Sequence, residues 1–234
     1  MLPVAILAGC LATRLRPVTD TLPKALIPVA GRPFVLRQLD YLSRQGIQRV
    51  VLCTGYRSDQ IEAVVGDGSA CGLSVRYSWD GATLLGTGGA IQNALPILGK
   101  EFFVVYGDSF LPVNFDQVEK AYRSSGQPAL MTVYQNAGQW DTSNVLYTDG
   151  KIIEYNKHQP RSEMKYIDYG LGVLSASVFD SDCPEEVFDL ASLYQQLSLS
   201  NQLAGHEVFE RFYEIGSVGG RLETEQYFRI TECT

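Results

Sequence analysis

The chain is poor in histidine, and its cysteines are not arranged for chemistry. Its two histidines, His158 and His206, and its five cysteines, Cys10, Cys53, Cys71, Cys183 and Cys233, are scattered, and no C-x-x-C occurs. An odd number of widely spaced cysteines speaks against a disulfide framework and a zinc site, and fits a reducing, cytoplasmic setting. No apolar run is long enough for a membrane span. The opening run stops at Gly9 and Arg14 and lacks a basic n-region, so neither a membrane anchor nor a signal peptide is expected. Positive charge is in deficit: 19 Lys and Arg stand against 26 Asp and Glu, a formal net charge of -7. That argues against a general nucleic-acid binder, which carries a basic surface. It leaves room for a small anionic substrate gripped by a few basic residues in one cleft. G-x-x-x-x-G-K-[ST] is absent, and no G-x-G-x-x-G follows the first strand, which removes the P-loop and the dinucleotide fingerprint. There is no internal repeat, low-complexity tract or dividing linker.

What is present is an alternation of short apolar runs and helical patterns over 234 residues, enough for one domain with a sizeable core. Val4–Leu7, Arg49–Gly55, Leu73–Ser78, Phe102–Tyr106 and Ala129–Tyr134 read as strands. Phe34–Arg44, Ser58–Val65, Gly89–Leu98 and Asp116–Ser124 read as helices, with Val35, Leu39 and Leu42 on one face of the first. Continuous apolar strands separated by helices predict an α/β fold: a mixed, mostly parallel central sheet flanked by helices. The second half is richer in β signals. Asp149-Gly150 marks a hairpin, 169–179 and 209–216 read as strands, and Glu185–Leu197 and Glu223–Arg229 as helices, with a frayed end at 230–234. This half extends the sheet and adds a small β-rich lid; the whole, residues 1–234, is expected to be a single domain.

In an open α/β sheet, ligands sit beyond the carboxyl ends of the strands. The first strand delivers small residues there, Ala8, Gly9 and Cys10, and then Thr13 and Arg14. Small residues let backbone N–H groups approach an anion, and the arginine adds a planar fork matched to phosphate oxygens. Asp108 ends another apolar strand, "FFVVYGD". A carboxylate there faces the cleft and suits a hard cation; the competing reading is a helix cap.

The stretch "LAGCLATRLRPVTDTLPKALIPVAGRPF", residues 7 to 33, resembles the signature of the sugar-phosphate nucleotidylyltransferases: L-A-G-G-x-G-T-R-L-x-P-x-T, then P-K, then P-V-x-G-x-P. "LLGTGGAI" (84–91), "YGDSF" (106–110), "YNK" (155–157), "IDYGLGVL" (167–174) and "YEIGS" (213–217) continue the match in order. Within the family the chain looks most like the short branch of heptose-1-phosphate guanylyltransferases. The resemblance implies a Rossmann-like nucleotidyltransferase fold and Mg²⁺-assisted, in-line attack of a sugar 1-phosphate on the α-phosphorus of a nucleoside triphosphate, with GTP and a heptose 1-phosphate the expected pair.

It implies roles residue by residue. Arg14 holds the β- and γ-phosphates, and Lys24, aimed by Pro23, meets the α-phosphate. Leu7, Ala8, Gly9, Cys10 and Thr13, with Gly86, Gly88 and Gly89, form the nucleotide site; Asp108 and Glu214 hold Mg²⁺. Lys157 grips the sugar phosphate, while Asn144, Asn156, Asp168 and Gly170 line the sugar pocket, a turn-forming role being the alternative for Asn144. Trp79 and Trp140 are candidates to stack on a base, with packing as the alternative. Cys10 and Ala12 replace glycines of the pattern, Asn156 replaces a glutamate and Glu214 an aspartate. These departures keep two further readings open: a uridylyl-, thymidylyl- or cytidylyltransferase, and a weakly active regulatory subunit that binds nucleotide sugars. The expected partners are the two substrates, with neither nucleic acid nor membrane; a homo-oligomer stays open.

Overall fold

The run Val4–Leu7 is buried at every position. That requires cover on both faces, and it becomes β1, with a parallel neighbour on each side. The computed structural model describes residues 1–9, 15, 17–136, 138–179 and 186–232. After β1 come a two-residue hairpin, β2 (Pro28–Val29) and β3 (Arg32–Pro33), then α1 (Phe34–Arg44), β4 (Arg49–Thr54), α2 (Ser58–Val65), β5 (Ser74–Trp79), α3 (Gly86–Leu98) and β6 (Glu101–Tyr106). There follow β7 (Ser109–Phe110), α4 (Phe115–Ser125), β8 (Ala129–Gln135), β9 (Val145–Thr148), β10 (Lys151–Tyr155), β11 (Tyr166–Ser175), α5 (Leu190–Leu199), β12 (Leu203–Val208), β13 (Tyr213–Glu214) and α6 (Val218–Glu232).

The main sheet runs β5-β4-β1-β6-β11-β8-β12-β10-β9. Its first four strands are parallel, Ile6 lying between Leu52 and Val105. β11 enters antiparallel to β6 and β8, β12 is parallel to β8, and the β9–β10 hairpin closes the far edge. The hairpin turns at Asp149-Gly150, both at positive φ (50° and 77°), as its sequence predicts. Helices cover both faces. Leu39 and Leu42 of α1, Ile61 of α2 and Val118 of α4 pack on one; Ile91 and Leu98 of α3 and Leu193 and Leu197 of α5 pack on the other. Each such buried side chain contributes roughly 1.5–3 kcal/mol. A smaller cluster, including Ile27, Phe34, Phe110, Ile215 and Phe228, wedges α6 against the β7–β13 ribbon. No helix among the described residues is long and apolar enough to cross a membrane.

The second half departs from expectation in five places. The strand expected over 169–179 runs Tyr166–Ser175, and Ala176–Phe179 forms a 3-10 turn. The helix expected over Glu185–Leu197 begins only at Leu190, because the Asp189 side chain accepts the Ala191 N–H as an N-cap; Glu185 lies outside the described residues. The strand expected over 209–216 shrinks to Tyr213–Glu214. β12, "LAGHEV", carries no apolar alternation; it is a strand because six residues pair with β8, from Leu203 beside Ala129 to Val208 beside Tyr134. Finally, α6 is longer than Glu223–Arg229 and takes in Ile230, which was expected to fray.

Candidate functional site

β1 and β6 end side by side, and the Gly107 N–H donates to Leu7 O (3.0 Å). Beyond these ends lies a cavity of about 390 Å³. Leu7, Ala8, Gly9 and Gly86, four of the residues expected to form a nucleotide site, line it together with Lys24, Asp80, Thr87, Tyr106 and Asp108. Cys10, Thr13 and Arg14 lie outside the described residues. Gly88 and Gly89 do not line the cavity. They donate their N–H groups to Phe188 O (3.0 and 3.4 Å), and a Cβ on Gly88 would stand 2.1 Å from the Phe188 ring. Glycine at 88 lets the segment ending in Phe188 and Asp189 close against the start of α3, which is a different use from the part in the nucleotide site expected of it.

A second cavity of about 580 Å³ shares Tyr106 and Asp108 with the first. Asn144, Asp168, Gly170 and Glu214 line it, with Trp140, Asp141, Arg211 and Glu223. Asp108 stands where the two meet. Lys24 Nζ donates to its Oδ2 at 2.5 Å, the lysine side chain being 10% and the aspartate 32% exposed. Gln38, buried in α1, holds this corner by donating to Tyr106 O (3.1 Å) and Ser109 O (2.8 Å).

Glu214 is brought beside Asp108 by the β7–β13 ribbon, where Glu214 pairs with Ser109 and the Ile215 N–H donates to Asp108 O (2.9 Å). Its carboxylate accepts the Gly216 N–H and the Ser217 hydroxyl. Each carboxylate oxygen has two acceptor sites, so one hydrogen bond per oxygen leaves capacity for a cation. Mg²⁺ takes one or two carboxylates and completes its shell with water and phosphate. Asp108 and Glu214 fit that demand; no cluster of three or more acidic, histidine or cysteine ligands occurs among the described residues.

In the second cavity, Asn144 Oδ1 accepts the Asp168 N–H (3.1 Å), and Asp168 Oδ1 accepts the Gly170 N–H (2.9 Å). Burial pushes the Asp168 carboxyl up to about 6, with the Gly170 N–H and the Lys157 charge opposing. Asn156 and Lys157 line neither cavity. Asn156 Oδ1 caps its own turn, accepting the His158 and Gln159 N–H groups, and Lys157 Nζ reaches Asp189 Oδ2 at 3.1 Å. Trp79 is exposed and lines neither cavity, whereas Trp140 lies 3.7 Å beneath the Arg211 guanidinium.

Asp80 was not among the residues expected here. Its Oδ2 accepts the Leu85 N–H (3.3 Å), its Oδ1 is buried without a hydrogen-bond partner among the described residues, and burial raises its carboxyl above the usual range. The signal was available: Asp80 follows β5 as Asp108 follows β6, an acid at a strand's carboxyl end. Arg211 carried no comparable signal, since its place depends on the turn between β12 and β13.

A family model described as nucleotidyl transferase matches residues 4–142. An N-acetylmuramate alpha-1-phosphate uridylyltransferase of Neisseria meningitidis serogroup B is 30% identical over 219 residues, covering 91% of this chain and 92% of that protein. A D-glycero-alpha-D-manno-heptose 1-phosphate guanylyltransferase of Aneurinibacillus thermoaerophilus is 30% identical over 184 residues, 78% of this chain and 79% of that one. Among solved structures, HddC from Yersinia pseudotuberculosis complexed with GMP-PN aligns over 97% of this chain and 100% of that one, with a TM-score of 0.77 and 24% identity. A putative glucose-1-phosphate thymidylyltransferase from Bacillus anthracis aligns over 98% and 96% with a TM-score of 0.85 and 18% identity; at these identities the likeness is one of fold.

Proposed function

Since the chain belongs to the nucleotidyl transferase family and is a sugar-1-phosphate nucleotidylyltransferase, we propose that it joins GTP to a neutral sugar 1-phosphate, a heptose 1-phosphate first among them, releasing pyrophosphate. The observation that carries the finer reading is where the carboxylates lie. Asp80 offers acceptors only, and its buried Oδ1 has no donor among the described residues. Guanine presents two adjacent donors, N1–H and the exocyclic amine, to such a group; uracil and thymine present one N–H between two carbonyls that a carboxylate repels. In the second cavity, Asp141, Asp168 and Glu223 face one cation, Arg211, which is already paired with Glu223 at 2.6 Å. A wall of acceptors beside Trp140 suits a polyhydroxyl sugar without charge of its own.

The reaction joins a phosphate oxygen of the sugar to the α-phosphorus and breaks the bond to pyrophosphate, so no nucleophilic side chain is needed. Positioning and charge neutralisation supply the rate. Lys24, buried beside Asp108, brings its ammonium to the junction of the two cavities, where the α-phosphate belongs. Arg14 answers for the outer phosphates and Lys157 for the sugar phosphate. A divalent cation held by Asp108 and Glu214, expected to be Mg²⁺, supplies further neutralisation of the phosphates when bound. Asp168 and Asn144 orient the sugar.

One observation favours a second reading, uridylyl transfer to N-acetylmuramate 1-phosphate: the Neisseria relative is matched over more of its length than the heptose enzyme. Its lactyl carboxylate would face the acids just named. The test is a pyrophosphate-release screen crossing GTP, UTP, dTTP, CTP and ATP with heptose, mannose, glucose, glucosamine and N-acetylmuramate 1-phosphates. The expected best pair is GTP with a heptose 1-phosphate; a clear preference for UTP, or for the muramate, overturns the assignment.

A further inference from the structure

The segment ending at Asp189 is stitched to Leu85 and the first turn of α3, where Gly86 and Thr87 line the nucleotide cavity. The Phe188 N–H donates to Leu85 O (3.1 Å), and Phe188 O takes the Gly88 N–H in return. At the end of this seam the Thr87 hydroxyl donates to Asp189 Oδ1 (2.8 Å) and accepts the Leu190 N–H (2.8 Å). Thr87 lines the nucleotide cavity. The other oxygen of the same carboxylate, Oδ2, receives Lys157 Nζ at 3.1 Å.

We propose that Asp189 is a positioning residue that couples the two substrate subsites, holding Thr87 with one oxygen and Lys157 with the other. The proposal rests on Lys157 being the cation for the sugar phosphate. Lys157 is 51% exposed, sits on a long side chain and lines neither cavity, so something must aim it. Its ammonium has three donors; Asp189 uses one and leaves two for phosphate oxygens. An exposed pair of this kind adds little to stability, so its effect lies in orientation. The carboxylate is ionised at neutral pH: burial pushes it up, but the Ala191 N–H, the Thr87 hydroxyl and the Lys157 charge outweigh that and hold it below the usual range. Nucleotide that orders Thr87 therefore orders Lys157 through a single rigid group, and the sugar phosphate meets a prepared partner.

Capping of α5 is the plain structural role of Asp189, and Asp189→Asn separates the two. Asparagine keeps an oxygen for Ala191 and Thr87 but turns a neutral amide toward Lys157. The measurement is steady-state kinetics of the first substrate pair to turn over in the screen above, with each KM taken at low and saturating levels of the other substrate. Asp189→Asn should raise the KM for the sugar 1-phosphate by about tenfold, leave that for the nucleotide within about twofold, and abolish the native dependence of one KM on the other. The melting temperature should stay within about 2 °C. Thr87→Val, which cuts the link from the other side, should abolish the same dependence, and it decides the matter should Asp189→Asn fold poorly. Lys157→Ala is the control for the underlying reading: an unchanged KM for the sugar 1-phosphate means Lys157 is not its cation. If Lys157→Ala raises that KM while both coupling variants keep native values and native dependence, Lys157 is the cation and Asp189 does not position it.

Discussion

Exchanging one oxygen for a nitrogen at Asp80 should remove the preference for guanine. Asp80→Asn keeps an acceptor for the Leu85 N–H, which now lies 3.3 Å from Oδ2, and places an NH₂ where Oδ1, without a partner among the described residues, stands. Oδ2 is partly engaged, so the base loses at least one charge-assisted hydrogen bond to the carboxylate. Such a bond is worth roughly 1.5–3 kcal/mol, which at about 1.36 kcal/mol per decade lowers kcat/KM for GTP by about 10- to 150-fold. UTP, with a carbonyl at the corresponding edge, gains a donor, so its kcat/KM holds or rises. The assay is pyrophosphate release from GTP and UTP, at fixed sugar 1-phosphate, for native protein and variant. The pH dependence adds a second signature. Burial raises the Asp80 carboxyl, and its charged form is the one that accepts from guanine. Native kcat/KM for GTP should therefore fall on the acid side as that raised pKa is approached from above, and the variant should lack this limb. A GTP/UTP ratio in Asp80→Asn within about threefold of native would refute the assignment of Asp80 to the base.

Lys24→Ala should lower turnover by at least about 100-fold, the usual loss when one preorganised charge is taken from a developing phosphate. Its circular dichroism spectrum should stay native, because Asp108, 32% exposed, can hydrate once the lysine is gone. Asp108→Asn should be as inactive but less stable, since it leaves a lysine side chain that is 10% exposed without its counter-charge; equal melting temperatures for the two variants would contradict this. In Gly220→Ala the new Cβ would stand 1.8 Å from Glu214 Oε1. It would also stand 2.8 Å from the Glu214 backbone oxygen, so the roughly 1 kcal/mol gained in helix propensity is offset by a backbone shift as the carboxylate is displaced; the melting temperature should fall and half-saturation by Mg²⁺ should rise several-fold in activity titrations. Asp168, raised by burial to about 6, adds stability below its unfolded value of about 3.9 and loses it as pH rises through 6. Asp168→Asn should thus melt a few °C higher than native at pH 7–8, with the gap closing below about pH 4, while the KM for the sugar phosphate rises; a constant gap at all pH values would show that burial of the charge is not the cause.

The first 135 residues were largely legible because their signals are local. An all-apolar run such as Val4–Leu7 has to be a covered strand, and the spacing of Val35, Leu39 and Leu42 has to be a helix face. The second half answers to partners far along the chain. β12 exists by pairing with β8, which nothing in "LAGHEV" announces; "FERFYEIG" reads as a strand throughout, yet only Tyr213–Glu214, which pair with Ser109–Phe110, form one. α5 begins at Leu190 because Asp189 is its cap, a position that propensity over 185–197 smooths away.

The same division runs through the candidate site. Lys24, Asp108 and Glu214 were named from short motifs, and they stand together because Lys24 reaches the Asp108 carboxylate and the β7–β13 pairing sets Glu214 beside it. Glycines 88 and 89 were named from a motif too, but their motif does not say what approaches them. Phe188 does, and it brings Asp189 with it. A glycine-rich turn can admit a ligand or another segment of its own chain, and the residue types are identical in the two cases. Only the hydrogen-bond partner tells them apart, here Phe188 O for Gly88 and Gly89. That is why the pair Thr87 and Asp189, 102 positions apart, could not be read from either segment. It also locates the informative variants: those on the seam, where a change moves the link between the substrates while the phosphate-binding side chains stay intact.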